Sequence, residues 1–145
     1  MPMSIWFQPC TLESVQQRGA GTMVEHLGIT IVELGDNFLS GTMPVDHRTV
    51  QPMGILHGGA SVALAETLGS IAANLVVDPL SKYCVGLDIN ANHIRAARKG
   101  LVTGKAVSVH LGSSTQVWQI EISDEQQRLI CISRLTMAVL SKERV

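Results

Sequence analysis

The sequence predicts an α+β domain in which an antiparallel sheet wraps one long central helix. Three observations lead there. One stretch, Gly58 to about Leu75, is long, apolar and almost free of charge. Two β-branched runs precede it, and four extended runs separated by turns follow it. The C-terminal half carries no second helical pattern, so the helices that a parallel doubly wound sheet requires are missing.

In chain order, Thr11 to Arg18 reads as a short helix. Thr11 is its N-cap, Glu13 and Ser14 lie in the first turn, and Gly19 and Gly21 end it. Leu27–Leu34 and Phe38–Val45 form a hairpin around Gly35-Asp36-Asn37. In the long helix Val62, Ala63, Leu64, Leu68, Ile71, Ala72 and Leu75 cover almost the whole circumference, which predicts burial on all sides. Gly59, Ala60, Ala63, Gly69, Ala72 and Ala73 permit close approach, and Asp78-Pro79 stops the helix. Val85–Ile94, Leu101–Leu111, Thr115–Ser123 and Leu129–Leu140 are the strands of a meander. Gly112-Ser113-Ser114 and Asp124 to Gln127 supply turns between the last three.

Composition excludes several classes. A chain of 145 residues suits one domain spanning 1–145. Net charge is −1 and the pI near 6.5, which offers no basic footprint for nucleic acid or an anionic membrane. Charged residues are 16% of the chain, below the usual quarter or so, and this deficit predicts a homo-oligomer that hides surface against itself. Cys10, Cys84 and Cys131 form no CxxC pair and read as reduced thiols of a cytoplasmic protein. The N-terminus has no secretory pattern, and Glu66 argues against reading Met53–Val77 as a membrane span. The histidines lack metal-ligand spacing, so no metal is expected. Gly59-Ala60-Ser61-Val62-Ala63 misses the nucleophile-elbow pattern, and there is no GxGxxG or P-loop.

Glu66 is the only charged residue from Met53 to Val77, and no Lys or Arg sits three or four residues away on the helix. Burying a lone carboxylate costs several kcal/mol unless it is paired or its pKa rises. Its structural alternative is an exposed edge or a distant arginine. His57-Gly58-Gly59 stands where the helix begins, and helix N-termini present unpaired N–H groups with partial positive charge. These are the components of an oxyanion hole. The two turns between Gly58 and Glu66 span about 12 Å, so a second subunit is expected to supply one of the two groups. Arg95, Arg98 and Lys99 would suit phosphate groups, or form a solvated turn.

The string Gln51-Pro-Met-Gly-Ile-Leu-His57-Gly58-Gly59-Ala-Ser-Val-Ala-Leu-Ala-Glu66-Thr-Leu-Gly69-Ser70 resembles the hotdog-fold acyl-CoA thioesterases of the phenylacetate-pathway and 4-hydroxybenzoyl-CoA branch. The resemblance continues through Met43–Thr49, Val85–His93, His110–Ser114 and Gln116–Glu121, nearly the whole chain. It implies a hotdog fold, dimers paired into tetramers, and active sites at the dimer interface. Glu66 matches the catalytic carboxylate, as nucleophile or general base. Gly58 matches the residue whose N–H polarises the thioester carbonyl. Gln51 and His57 match groups that position the thioester or the water, and Ser70 a residue near the acyl group. Gly86, His93, Ile94, Arg95 and Ala96, with His110, Leu111, Gly112, Ser113, Ser114 and Thr115, match the binding surface for CoA. The implied substrate is an acyl-CoA, with an aromatic acyl group preferred, and no cofactor beyond it. Two alternatives share the fold: a non-catalytic acyl-CoA-binding module, and a hydratase or dehydratase using His57 and Glu66.

Overall fold

The computed structural model describes residues 3–143. Its elements are α1 (Leu12–Gln17), α2 (Met23–His26), β1 (Thr30–Leu34), β2 (Phe38–Pro44), α3 (Gly58–Val76), β3 (Lys82–His93), β4 (Leu101–Leu111), β5 (Thr115–Ser123) and β6 (Leu129–Ser141). Both predicted helices and all six predicted strands are present with no end displaced by more than three residues, and the α+β architecture with one central helix agrees with the hotdog fold that the resemblance implies. Thr11 caps α1 through a reciprocal bond pair with Ser14. Helix α2, not predicted, starts at its own N-cap, Thr22, and ends before Gly28 at φ 72.

All six strands form one antiparallel sheet in the order β1-β2-β4-β5-β6-β3. The meander therefore comprises β4, β5 and β6 alone. Strand β3 does not join β4, its neighbour in sequence; it pairs along β6 and becomes the far edge. Residues 94–100 carry the chain from that edge across to β4.

Helix α3 packs across the sheet, against β2 to β6. Leu68 wedges between Gly41 and Gly104, which are partners across β2 and β4; a Cβ on either glycine would stand 2.7 Å from a Leu68 methyl. A larger residue there would lift the helix off the sheet. Leu64, Leu68, Trp118, Ile120, Ile122, Leu135 and Met137 are fully buried around it. Trp118 also stacks on Trp6, 6.4 Å between centroids, which ties the N-terminal segment to the core.

Burial on all sides of α3 is not observed. Its sheet-facing side is buried, whereas Val62, Ala63, Glu66, Thr67, Ser70 and Ile71 are only half-buried. By length and hydropathy α3 could cross a membrane, yet half of it is packed against the sheet as the core helix. The apolar circumference exceeds what one sheet can cover.

Candidate active site

The residues singled out from the sequence fall into two groups. In the first, Glu66 points from the half-buried side of α3 into a cavity of about 380 Å³ lined by Met23, Val24, Leu27, Ile29, Ala63, Thr67, Ser70 and Ile71. The lining is apolar apart from Glu66 and two hydroxyls. Among the described residues no cation lies within ion-pairing distance of Glu66. The carboxylate reaches β3 at Gly86, where a Cβ would sit 2.5 Å from Oε1, so any side chain at position 86 would make the carboxylate move from this place. Ser70 lines the same cavity one turn further along α3. Met23 and Val24 were not anticipated; the Gly21-Thr22 pair before them, a turn signal followed by an N-cap residue, marks the segment.

In the second group the start of α3 is prepared by its own backbone. Gln51 closes a tight turn: its carbonyl accepts from the Gly54 N–H at 2.8 Å, Gly54 has φ 79, and its Oε1 accepts from the Met53 N–H. That leaves the Gln51 amide NH₂ available as a donor. His57 is the N-cap, with Nδ1 accepting from the Gly59 N–H at 2.8 Å, so Nε2 carries the proton in the neutral ring. The Gly58 N–H has no partner among the described residues. The His93 ring covers Gly58 so closely that a Cβ there would stand 2.9 Å from Nε2. Gln51, Gly58, Ser61, His93, Ile94, Arg95 and Ala96 line a common cavity of about 330 Å³.

These groups do not meet within one chain. The row Leu111–Gln116–Met137–Gly86 crosses the sheet at one end, and His93, opposite Cys131, lies seven residues further along β3. That separation is roughly 20 Å. His110 to Thr115, at the β4–β5 turn, belong to the Gly86 end, whereas His93 to Ala96 belong to the Gly58 end. At the turn, a Cβ on Gly112 would meet His110 Nε2 at 2.6 Å, and the Gly112 N–H donates to the Thr115 carbonyl. The candidate CoA residues are thus divided between the two ends. Arg95 and Ala96 also border a third cavity, about 550 Å³, with Arg98, Lys99, Asp124, Glu125 and Arg128.

Burial pushes the Cys84 and Cys131 thiols above their ordinary value, so both stay protonated and inert at neutral pH. All three cysteines are free.

A family model described as the thioesterase superfamily matches residues 53–131. The 1,4-dihydroxy-2-naphthoyl-CoA hydrolase of Escherichia coli is 55% identical over 136 residues, covering 94% of this chain and 99% of that protein. The proofreading thioesterase EntH of Cronobacter sakazakii is 52% identical over 136 residues, 94% and 98% of the two chains. Among solved structures, the Haemophilus influenzae thioesterase HI1161 superposes with a TM-score of 0.92 at 51% identity, covering 94% of this chain and 95% of that one. The chain belongs to the thioesterase superfamily. It is a thioester hydrolase of the acyl-CoA class.

Proposed function

We propose that this enzyme hydrolyses aromatic acyl-CoA thioesters, 1,4-dihydroxy-2-naphthoyl-CoA foremost, to the free acid and CoA in the cytoplasm. The observation that carries the chemistry is Glu66, a carboxylate with no cation beside it among the described residues, in a cavity whose other walls are apolar save for the Thr67 and Ser70 hydroxyls. The substrate is suggested by the Escherichia coli relative, a 1,4-dihydroxy-2-naphthoyl-CoA hydrolase, and this reading assigns the reaction to menaquinone biosynthesis. The proofreading relative supports a second reading, in which aryl thioesters of siderophore assembly are cleared.

The Gly58 N–H, unpartnered at a helix N-terminus, donates to the thioester oxygen as charge develops, an interaction typically worth about 3–4 kcal/mol. The Gln51 amide and His57 Nε2–H orient the carbonyl and the water. Glu66 either takes a proton from that water as it adds to the carbonyl, or attacks the carbonyl carbon itself to give a mixed anhydride that water then cleaves to the free acid and the Glu66 carboxylate; in both cases CoA leaves as thiolate. Ser70 stands beside the acyl group, and Gly86, His93 to Ala96 and His110 to Thr115 receive CoA.

Because Glu66 and Gly58 occupy separate cavities, the reading requires a second copy. Antiparallel pairing of two β3 edges about a two-fold axis would bring Gly86 of one protomer towards the His93 end of the other. The two groups of residues then share one site, and two such dimers would form the tetramer.

Thiol release from a panel of aryl- and alkyl-CoA esters tests this. Glu66→Ala is expected to lose roughly 10²–10⁴-fold in kcat while keeping the fold. Unchanged turnover in Glu66→Ala would remove the mechanism, and a rate indifferent to the acyl group would remove the aromatic preference. Single-turnover hydrolysis in ¹⁸O water, with label sought in Glu66, separates direct attack from water activation.

A further inference from the structure

We propose that Asn74 is a positioning residue for Glu66: it fixes β3 along α3 so that Gly86, and no bulkier neighbour, lies beneath the carboxylate. The inference rests on Glu66 being the reacting carboxylate. Glu66, Ser70 and Asn74 recur every four residues and share the stripe of α3 that faces β3. The Asn74 amide behaves as one rung of a missing strand. Its Oδ1 accepts from the Cys84 N–H at 2.8 Å, and its Nδ2 donates to the Cys84 carbonyl at 3.2 Å and to the Ser70 carbonyl at 2.9 Å. Both backbone groups of Cys84 are therefore held by one side chain, which pins the strand in height as well as in distance.

The thiol repeats the attachment. Cys84 Sγ lies 3.6 Å from the Ala73 carbonyl, and the buried Gln116 amide reaches the same sulfur at 3.8 Å. Two residues beyond Cys84 comes Gly86, followed at once by a bulge that places Leu87 outside the pairing with β6. Pairing with β6 sets the register of β3 within the sheet, and the bulge bends the strand at Gly86; the Asn74 clamp two residues earlier fixes where that bend falls against α3. The flanking residues show what a slip would do. Val85 and Leu87 are large, whereas a methyl at position 86 already comes within 2.5 Å of Glu66 Oε1. A displacement of β3 by one residue would drive a side chain into the carboxylate and turn it out of its cavity.

The experiment compares Asn74→Ala and Asn74→Asp with Gln16→Ala, which removes an equivalent side-chain rung from the opposite edge of the sheet; Gln16 bonds the backbone of Ile29, a wall residue of the cavity, but touches neither Glu66 nor Gly86. With benzoyl-CoA and 1,4-dihydroxy-2-naphthoyl-CoA, Asn74→Ala is expected to lower kcat about 10- to 100-fold with little change in KM. Asn74→Asp, which keeps the acceptor for the Cys84 N–H, should fall between it and wild type. Gln16→Ala should lower Tm comparably yet keep kcat within about twofold. A wild-type kcat in Asn74→Ala, or an equal loss in Gln16→Ala, would overturn the proposal. If Asn74→Ala does not fold, Asn74→Asp carries the comparison. Should Glu66→Ala prove as active as wild type, the carboxylate assignment fails separately. A second readout then decides the positioning role without turnover: Glu66→Gln should shift the Gly86 amide resonance, and that shift should be smaller in the Asn74→Asp background. A shift of equal size in both backgrounds overturns it.

Discussion

The two edges of the sheet use the same ladder and are finished differently. Strand β1 is five residues long, carries a bulge between Ile31 and Glu33, and is closed by Gln16 of α1. The Gln16 amide donates to the Ile29 carbonyl at 3.2 Å and accepts from the Ile31 N–H at 2.6 Å. Strand β3 is twelve residues long and is closed at Cys84 alone. From Gly86 to His93 its outward backbone groups have no partner among the described residues. Val85 and Leu87 stand exposed beside them. Long unprotected edges invite pairing, and natural folds shield them unless another chain is meant to bind. One edge is terminated; the other is left open, and it is the edge that carries Gly86 and His93.

The sharpest way to break this contrast is a proline on β3. The Cys84 N–H faces Asn74, and alternation through the bulge directs the Ala91 N–H outward as well. Ala91→Pro removes that donor without removing a bond to β6. On the proposed pairing of β3 edges, sedimentation should show a dimer or tetramer for wild type and a monomer for Ala91→Pro, with kcat/KM reduced by about 100-fold or more. An active monomer would refute the shared site and the oligomer inferred from low charge.

Gly86→Ala should act more narrowly. The added methyl displaces Glu66, so kcat is expected to fall roughly tenfold while sedimentation is unchanged. Full activity would show that the carboxylate does not need its place against the strand.

How much of this the sequence carried depended on the range of the interaction involved. Glu66 stood out because charge is scarce around it, and α3 because its apolar pattern persists for five turns. The 12 Å between Gly58 and Glu66 follows from helix rise alone, and it was the reason to expect a second chain at the site. Strand order did not follow: nothing local in residues 82–93 says that they pair with 129–141 and not with 101–111. His93 over Gly58 was equally hidden, for the two are brought together by that same long-range pairing. Gln16 and Asn74 gave no signal either. A side-chain amide replacing a strand is defined by the backbone it meets, not by its neighbours in sequence.

On the closed edge, Gln16→Ala leaves the Ile31 N–H without its acceptor, which should lower stability by about 1–3 kcal/mol in denaturant titration with kcat preserved. A comparable loss of activity would mean that the two edges are not functionally distinct.

The smallest effect concerns the turn that braces β1 from below. Asp46 accepts the Arg48 guanidinium at 2.6 Å and the Arg48 N–H at 2.9 Å, and this arginine lies over Gly28 at the entrance to β1. The bonds to Arg48 hold the Asp46 carboxyl down at about 2, against 3.8 in the unfolded chain. A depressed folded value means that the contribution is complete above the unfolded value and is lost as pH falls through the folded one. Wild type should therefore exceed Asp46→Asn in Tm by a constant margin from pH 7 down to about pH 5, and the margin should close between about pH 4 and pH 2. Because the pair is solvent-facing, added salt should narrow it at neutral pH too. A margin independent of pH would assign the bracing to turn geometry and not to the ionised carboxylate, and β1 would then be closed by Gln16 and its short length alone.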